Sequence, residues 1–165
     1  MNKQILIVTI GVVLVGIIAY LMSREKRSTN FIGKPDVTTA VEENDPEMHE
    51  AIETAKRTFP KFLENWKSTE NQGYSLKFAV GTSSGRVEHI WFNPVLIHGD
   101  RIEAVCANDP ADVPGLKAGD TRELKKSDIS DWMIMLNGKC YGGYTARVLA
   151  KRDPSQKPPF DFADF

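Results

Sequence analysis

The first strong pattern along the chain is an unbroken apolar run. Ile5 to Met22 holds eighteen residues without a charge (ILIVTIGVVLVGIIAYLM). As a helix it would span about 27 Å, close to the hydrocarbon thickness of a thin bilayer. Gly11 and Gly16 are tolerated in lipid, and Tyr20 falls near one end, where aromatic rings favour the interface. Residues 1–23 are therefore expected to form a single-pass transmembrane helix. A cleaved signal peptide is the rival reading. The run is longer than a signal core, no A-x-A site follows it, and Ser23-Arg24-Glu25-Lys26-Arg27 reads as a stop-transfer flank. Lys3 lies on one side of the run and Arg24, Lys26 and Arg27 on the other, which favours a cytoplasmic C-terminal domain and leaves a periplasmic one open.

Residues 24–44 lose all periodicity and read as a flexible linker. At Asp45 the pattern becomes helical. Asp45-Pro46 reads as N-cap and first helical position, with Glu47 and Glu50 in the first turn. Met48, Ala51, Ile52, Ala55 and Phe59 then mark one face of an amphipathic helix. Pro60 is expected to break or kink it, and Phe62, Leu63 and Trp66 add a second short stripe.

After Asn71-Gln72-Gly73 the period drops to two. Tyr74, Leu76, Phe78 and Val80 alternate with smaller or polar residues as in a half-buried strand. Thr82–Gly85 reads as a hairpin loop, Arg86–Phe92 as a second strand, and Arg101–Ala107 as a third after the turn at His98-Gly99-Asp100. Residues 108–120, with Pro110, Pro114, Gly115 and Gly119, read as loop. A short polar strand is expected near Thr121–Leu124. Another at Trp132–Leu136 closes on Asn137-Gly138, a pair favoured in two-residue hairpins. The fold class expected is α+β: the transmembrane helix, then an amphipathic helix packed on an antiparallel β-meander, in a domain spanning 45–152. The tail 153–165 is Pro-rich and acidic. It is expected to be partly ordered, because Phe160, Phe162 and Phe165 would be costly to expose together.

Charge sharpens the division. The formal net charge of −1 averages unlike parts. Residues 1–30 carry four basic against one acidic side chain, and residues 31–165 carry seventeen against twenty-one. An acidic domain gives no electrostatic footprint for nucleic acid. The expected partners are the membrane, through the N-terminal helix, and a protein. Cys106 and Cys140 fit either one disulfide or two buried thiols.

Candidate chemistry is sparse. In Glu88-His89 the two side chains fall on opposite faces of a strand, so Glu88 cannot orient His89 directly. The histidines at 49, 89 and 98 have no zinc spacing, and neither metal nor cofactor is expected. No nucleophile elbow or phosphate loop is present. Ser127-Asp128-Ile129-Ser130-Asp131-Trp132 reads first as a turn whose Ser and Asp side chains cap backbone N–H groups. Gly142-Gly143 suggests special backbone angles or a close approach. Arg147 is placed to brace Asp128 or Asp131. Alternatively Trp132, Tyr144 and Arg147 rim a recognition surface. The candidate binding residues are thus His89, Trp91, Asp128, Asp131, Trp132, Tyr144 and Arg147, and no residue is assigned as catalytic.

The segments DPEMHEAIETAKRTFPKFLENW, GRVEHIWF, GLKAGD and ISDWMIMLNGKCYGGYTARVL occur in that order. Together they resemble the YegJ-like family of bacterial domains of unknown function, over about residues 45 to 150. The resemblance implies one folded unit in a bacterial protein, of a kind found behind signal or membrane segments or beside repeats such as ankyrin. It implies no catalytic residue. The function expected is a membrane-tethered, non-catalytic interaction module at the inner membrane, for example an immunity or inhibitor protein. The alternatives are a small hydrolase or ligand-binding enzyme using His89 with Asp128 or Asp131, and an envelope accessory protein.

Overall fold

A computed structural model of the chain describes residues 45–165. The expected transmembrane helix and linker lie outside the described residues. Among the described residues no helix is long and apolar enough to cross a membrane.

Helix α1 (Pro46–Asn65) starts where the sequence places it. The Asp45 carboxylate accepts the Met48 N–H at 3.1 Å, and Pro46 occupies a position whose missing N–H costs nothing. Pro60 does not end the helix. It stands on the exposed face, where water can satisfy the carbonyl its missing N–H leaves free. Ala51, Ala55, Phe59 and Phe62 form the buried face, and Leu63, expected in the stripe, is exposed.

The seven strands are β1 (Gly73–Gly81), β2 (Val87–His98), β3 (Arg101–Cys106), β4 (Thr121–Lys125), β5 (Ile129–Leu136), β6 (Lys139–Gly142) and β7 (Asp161–Ala163). Their order in the sheet is β4-β3-β2-β1-β5-β6-β7. The meander expectation therefore holds only for β1 to β4. β5 crosses back to the free edge of β1, and β7 joins β6 in parallel, so the sheet is mixed. β5 is buried on both faces. It begins three residues earlier than expected, after a 3-10 turn at Lys126–Asp128. The Asn137-Gly138 turn has positive φ at both residues (51° and 74°), the signature of a type I′ hairpin.

A second helix, α2 (Tyr144–Arg152), was not expected from the pattern. It packs on α1 and β5. At the far ends of the two helices, Arg152 pairs with Asp45 and Glu47, and Lys151 with Glu47. One sheet face supplies Leu76, Phe78, Ile90, Phe92, Ile102, Trp132 and Ile134. These form the core with Ala55, Phe59, Phe62 and Trp66. The tail is ordered: β7 pairs Phe162 with Cys140, and Phe165 stacks on Tyr141 at 4.3 Å.

Candidate functional site

Strand alternation sends the residues that could do chemistry to the other face of the sheet. Lys77 of β1 lies opposite Trp91 on one side and Asp131 on the other. Ala79 lies opposite His89. Between Lys77 and Phe78 the β1–β5 register slips by one residue, which inserts Ser130 as a bulge. The slip brings His89, Trp91 and Asp131 of the expected set together with Lys77, Ser130 and Thr145.

Asp131 is fully buried. Its carboxylate accepts four hydrogen bonds: from the N–H groups of Trp132 (2.8 Å), Tyr144 (3.1 Å) and Thr145 (2.8 Å), and from the Thr145 hydroxyl (2.6 Å). Gly143 stands at the N-cap of α2 in a left-handed conformation and has no side chain to cap with. Asp131 supplies the missing cap from the neighbouring strand, against the positive end of the helix. Burial pushes its carboxyl pKa up, while the Thr145 hydrogen bonds and the Lys77 charge pull against that shift.

Lys77 is 8% exposed. Its ammonium donates one long hydrogen bond, 3.5 Å, to the Thr145 hydroxyl and lies 5.0 Å from the Trp91 ring centroid. Thr145 therefore relays between the ammonium and the carboxylate, which form no direct ion pair. His89 stands at the exposed rim, its Nδ1 2.8 Å from Ser130 Oγ in a hydrogen bond whose donor depends on the tautomer. Desolvation first and the Lys77 charge second hold its pKa below the ordinary value. Ser130 is 2% exposed, and where its single hydroxyl proton goes to the Lys77 carbonyl at 3.3 Å, His89 Nδ1 is the donor to Oγ.

Several expectations are corrected here. Arg147 braces neither Asp128 nor Asp131. Its guanidinium donates to the carbonyls of Gly142 (3.0 Å) and Ala163 (2.6 Å) and pairs with Asp164 at 2.9 Å, because α2 turns it toward the tail. Trp132 rims no surface. It is 1% exposed on the core face, its indole N–H donating to the Ala55 carbonyl at 3.0 Å. Tyr144 meets it edge-on and is half buried. Asp128 is exposed in the 3-10 turn, accepting from Ser127 at 2.8 Å. Neither aspartate hydrogen-bonds His89.

Glu88 points away from His89, as expected, and accepts the N–H groups of Ala111 (2.8 Å) and Asp112 (3.0 Å). Cys106 and Cys140 are free buried thiols. Burial raises the pKa of both, Cys140 to about 12, so neither is a thiolate at neutral pH. Among the described residues no group of three His, Cys, Asp or Glu side chains could hold a metal. Sequence reasoning missed Lys77, Ser130 and Thr145. The alternation of β1 puts Lys77 on the face away from Leu76 and Phe78, which reads as solvent-facing, so no local signal marked it.

The arrangement is an α+β domain whose inward polar residues brace one another. The chain belongs to a family described as uncharacterized proteins conserved in bacteria (DUF2314), whose model matches residues 45–161. It is 34% identical over 110 residues to the uncharacterized protein YegJ of Escherichia coli (strain K12), covering 67% of this chain and 71% of the relative. A Neisseria meningitidis serogroup B protein named for ankyrin repeats is 29% identical over 119 residues, 66% of this chain and 47% of that one. This chain therefore spans about half the length of that relative. No solved structure matches the chain.

Proposed function

We propose that the chain is a membrane-tethered, non-catalytic interaction module whose domain binds a protein partner. The observation that carries this reading is the β2 bulge. In a regular strand, adjacent side chains face opposite ways. Here the register slips between Pro94 and Leu96, and Val95 and Leu96 stand 58% and 52% exposed side by side. A bulge re-aims side chains, and exposed apolar neighbours on an ordered strand suit a partner's contact surface. The meningococcal relative's name adds support, since ankyrin repeats work by presenting binding surfaces. The apolar run Ile5–Met22 supplies the tether, and masking of an enzyme or toxin near the membrane is one concrete form of the role. A hydrolase built on His89 is less well supported: Ser130 is covered, and the Asp131 carboxylate is saturated by the α2 cap.

The test is site-specific photocrosslinking at His98, exposed on the same strand two residues beyond Leu96, in cells expressing the full chain. A discrete adduct that disappears in V95D/L96D, with the melting temperature unchanged, is the expected result. Crosslinking to many proteins alike, or an adduct indifferent to V95D/L96D, overturns the reading.

A further inference from the structure

A cleft of about 470 Å³ opens between the middle of α1, the β2–β3 turn and the corner joining β4 to β5. Its floor is apolar: Phe59 and Ile129 come from the core and are almost fully buried. Its walls carry Lys56, Lys125 and Lys126 against the single acid Asp100; with Lys56 offset by Glu53, one positive charge is in excess. Lys56 is paired with Glu53 at 3.0 Å. The Lys125 and Lys126 ammonium groups make no ion pair or hydrogen bond among the described residues. Lys126 instead lies 5.6 Å from the Phe59 ring centroid, over the floor. The excess runs against the acidic balance of residues 31–165. The 3-10 turn Lys126–Asp128 holds this corner, fixed by the Lys126 N–H donating to the Asp100 carbonyl at 2.9 Å.

We infer that this cleft binds a small organic phosphate, with its phosphate between Lys125 and Lys126, above the floor at Phe59 and Ile129. The volume is in the range of small-molecule sites, which combine an apolar lining with a few placed polar groups. Lysines recognise phosphate as point charges, and a phosphomonoester, carrying about −1.5 to −2 at neutral pH, can meet both unpaired ammonium groups at once. A monocarboxylate brings only one charge to the two unpaired ammonium groups. The same chemistry is offered by a free phosphomonoester and by the headgroup of phosphatidic acid. This inference is independent of the protein-partner reading, because the cleft and the β2 bulge share no residue.

The experiment is calorimetric titration of the full chain, purified in a neutral detergent, with phenyl phosphate, phenol, benzoate and short-chain phosphatidic acid. Saturable binding of phenyl phosphate is expected, with binding by phenol and benzoate at least tenfold weaker. K125A/K126A, which changes only exposed side chains, should weaken phenyl phosphate at least tenfold without shifting the melting temperature. Tighter binding of phosphatidic acid than phenyl phosphate assigns a lipid headgroup, and the reverse assigns a soluble ligand. No saturable binding by either phosphate, equal binding of benzoate, or binding unchanged in K125A/K126A overturns the inference.

Discussion

A single carboxylate shows how this domain uses its polar residues. Asp131 gathers three backbone N–H groups and one hydroxyl, two of the N–H groups from the first turn of a helix thirteen and fourteen residues away. Replacing it by Asn keeps the shape but turns an NH₂ group toward groups that donate. D131N is expected to lower the unfolding free energy by about 2–4 kcal/mol, read by urea denaturation. A loss below the error of the measurement would mean that α2 needs no cap from β5. His89 makes a pH-dependent contribution whose sign follows from its lowered pKa. The fold favours the neutral ring. Above pH 6.5 both states hold it neutral and the contribution is complete. As pH falls through 6.5 the unfolded chain takes up a proton that the folded chain resists, so stability drops until the folded ring titrates too. Thermal melts of H89N against the parent should show this slope just below pH 6.5 reduced in the variant. Equal slopes would place the titration elsewhere.

Elements show where local pattern was sufficient and where it was not. The start of α1, the strand alternation of β1 and the Asn137-Gly138 turn were all legible, because each rests on neighbours a few residues apart. Helix α2 was not. It has nine residues, no side chain at its N-cap and little apolar periodicity, so its stability comes from Asp131 and from packing on α1. The glycines before it were legible as a constraint, though not the reason for it. Gly142 has φ 79°, and a Cβ there would lie inside contact distance of the Trp132 carbonyl and 2.6 Å from its ring carbon Cε3. G142A should cost at least about 3 kcal/mol, or prevent folding, since strain and a backbone clash combine. Far-UV circular dichroism and urea melts would check this. A well-folded G142A near parental stability would show that the β6–α2 corner can move.

At the level of the whole molecule, the tail proves to be part of the sheet. β7 pairs with β6, Arg147 holds Ala163 and Asp164, Lys61 donates to the Phe165 carbonyl at 3.0 Å, and Phe165 covers Tyr141 and Trp132. Ending the chain at Arg152 would expose the β6 edge and an aromatic face. It should lower the melting temperature, increase dye binding to apolar surface and promote aggregation. A truncated chain that stays monomeric with an unchanged melt would make the tail dispensable for the fold. The opposite edge, β4, carries Arg122, Glu123 and Lys125 and is protected by charge instead.

By itself the sequence determined what local interactions settle. These are the apolar run at 5–22, the start of α1, most strands, three hairpin turns, and the absence of a recognisable catalytic spacing, all written in local patterns of neighbouring residues. Only the tertiary structure decided that β5 returns to β1, that β7 runs parallel to β6, and that Asp131 caps a helix while Arg147 holds the tail. It also gathered Lys56, Lys125 and Lys126 around one cleft. Those outcomes join residues far apart in the chain, and which distant partners meet depends on how one buried face is best covered, a choice that no local pattern records.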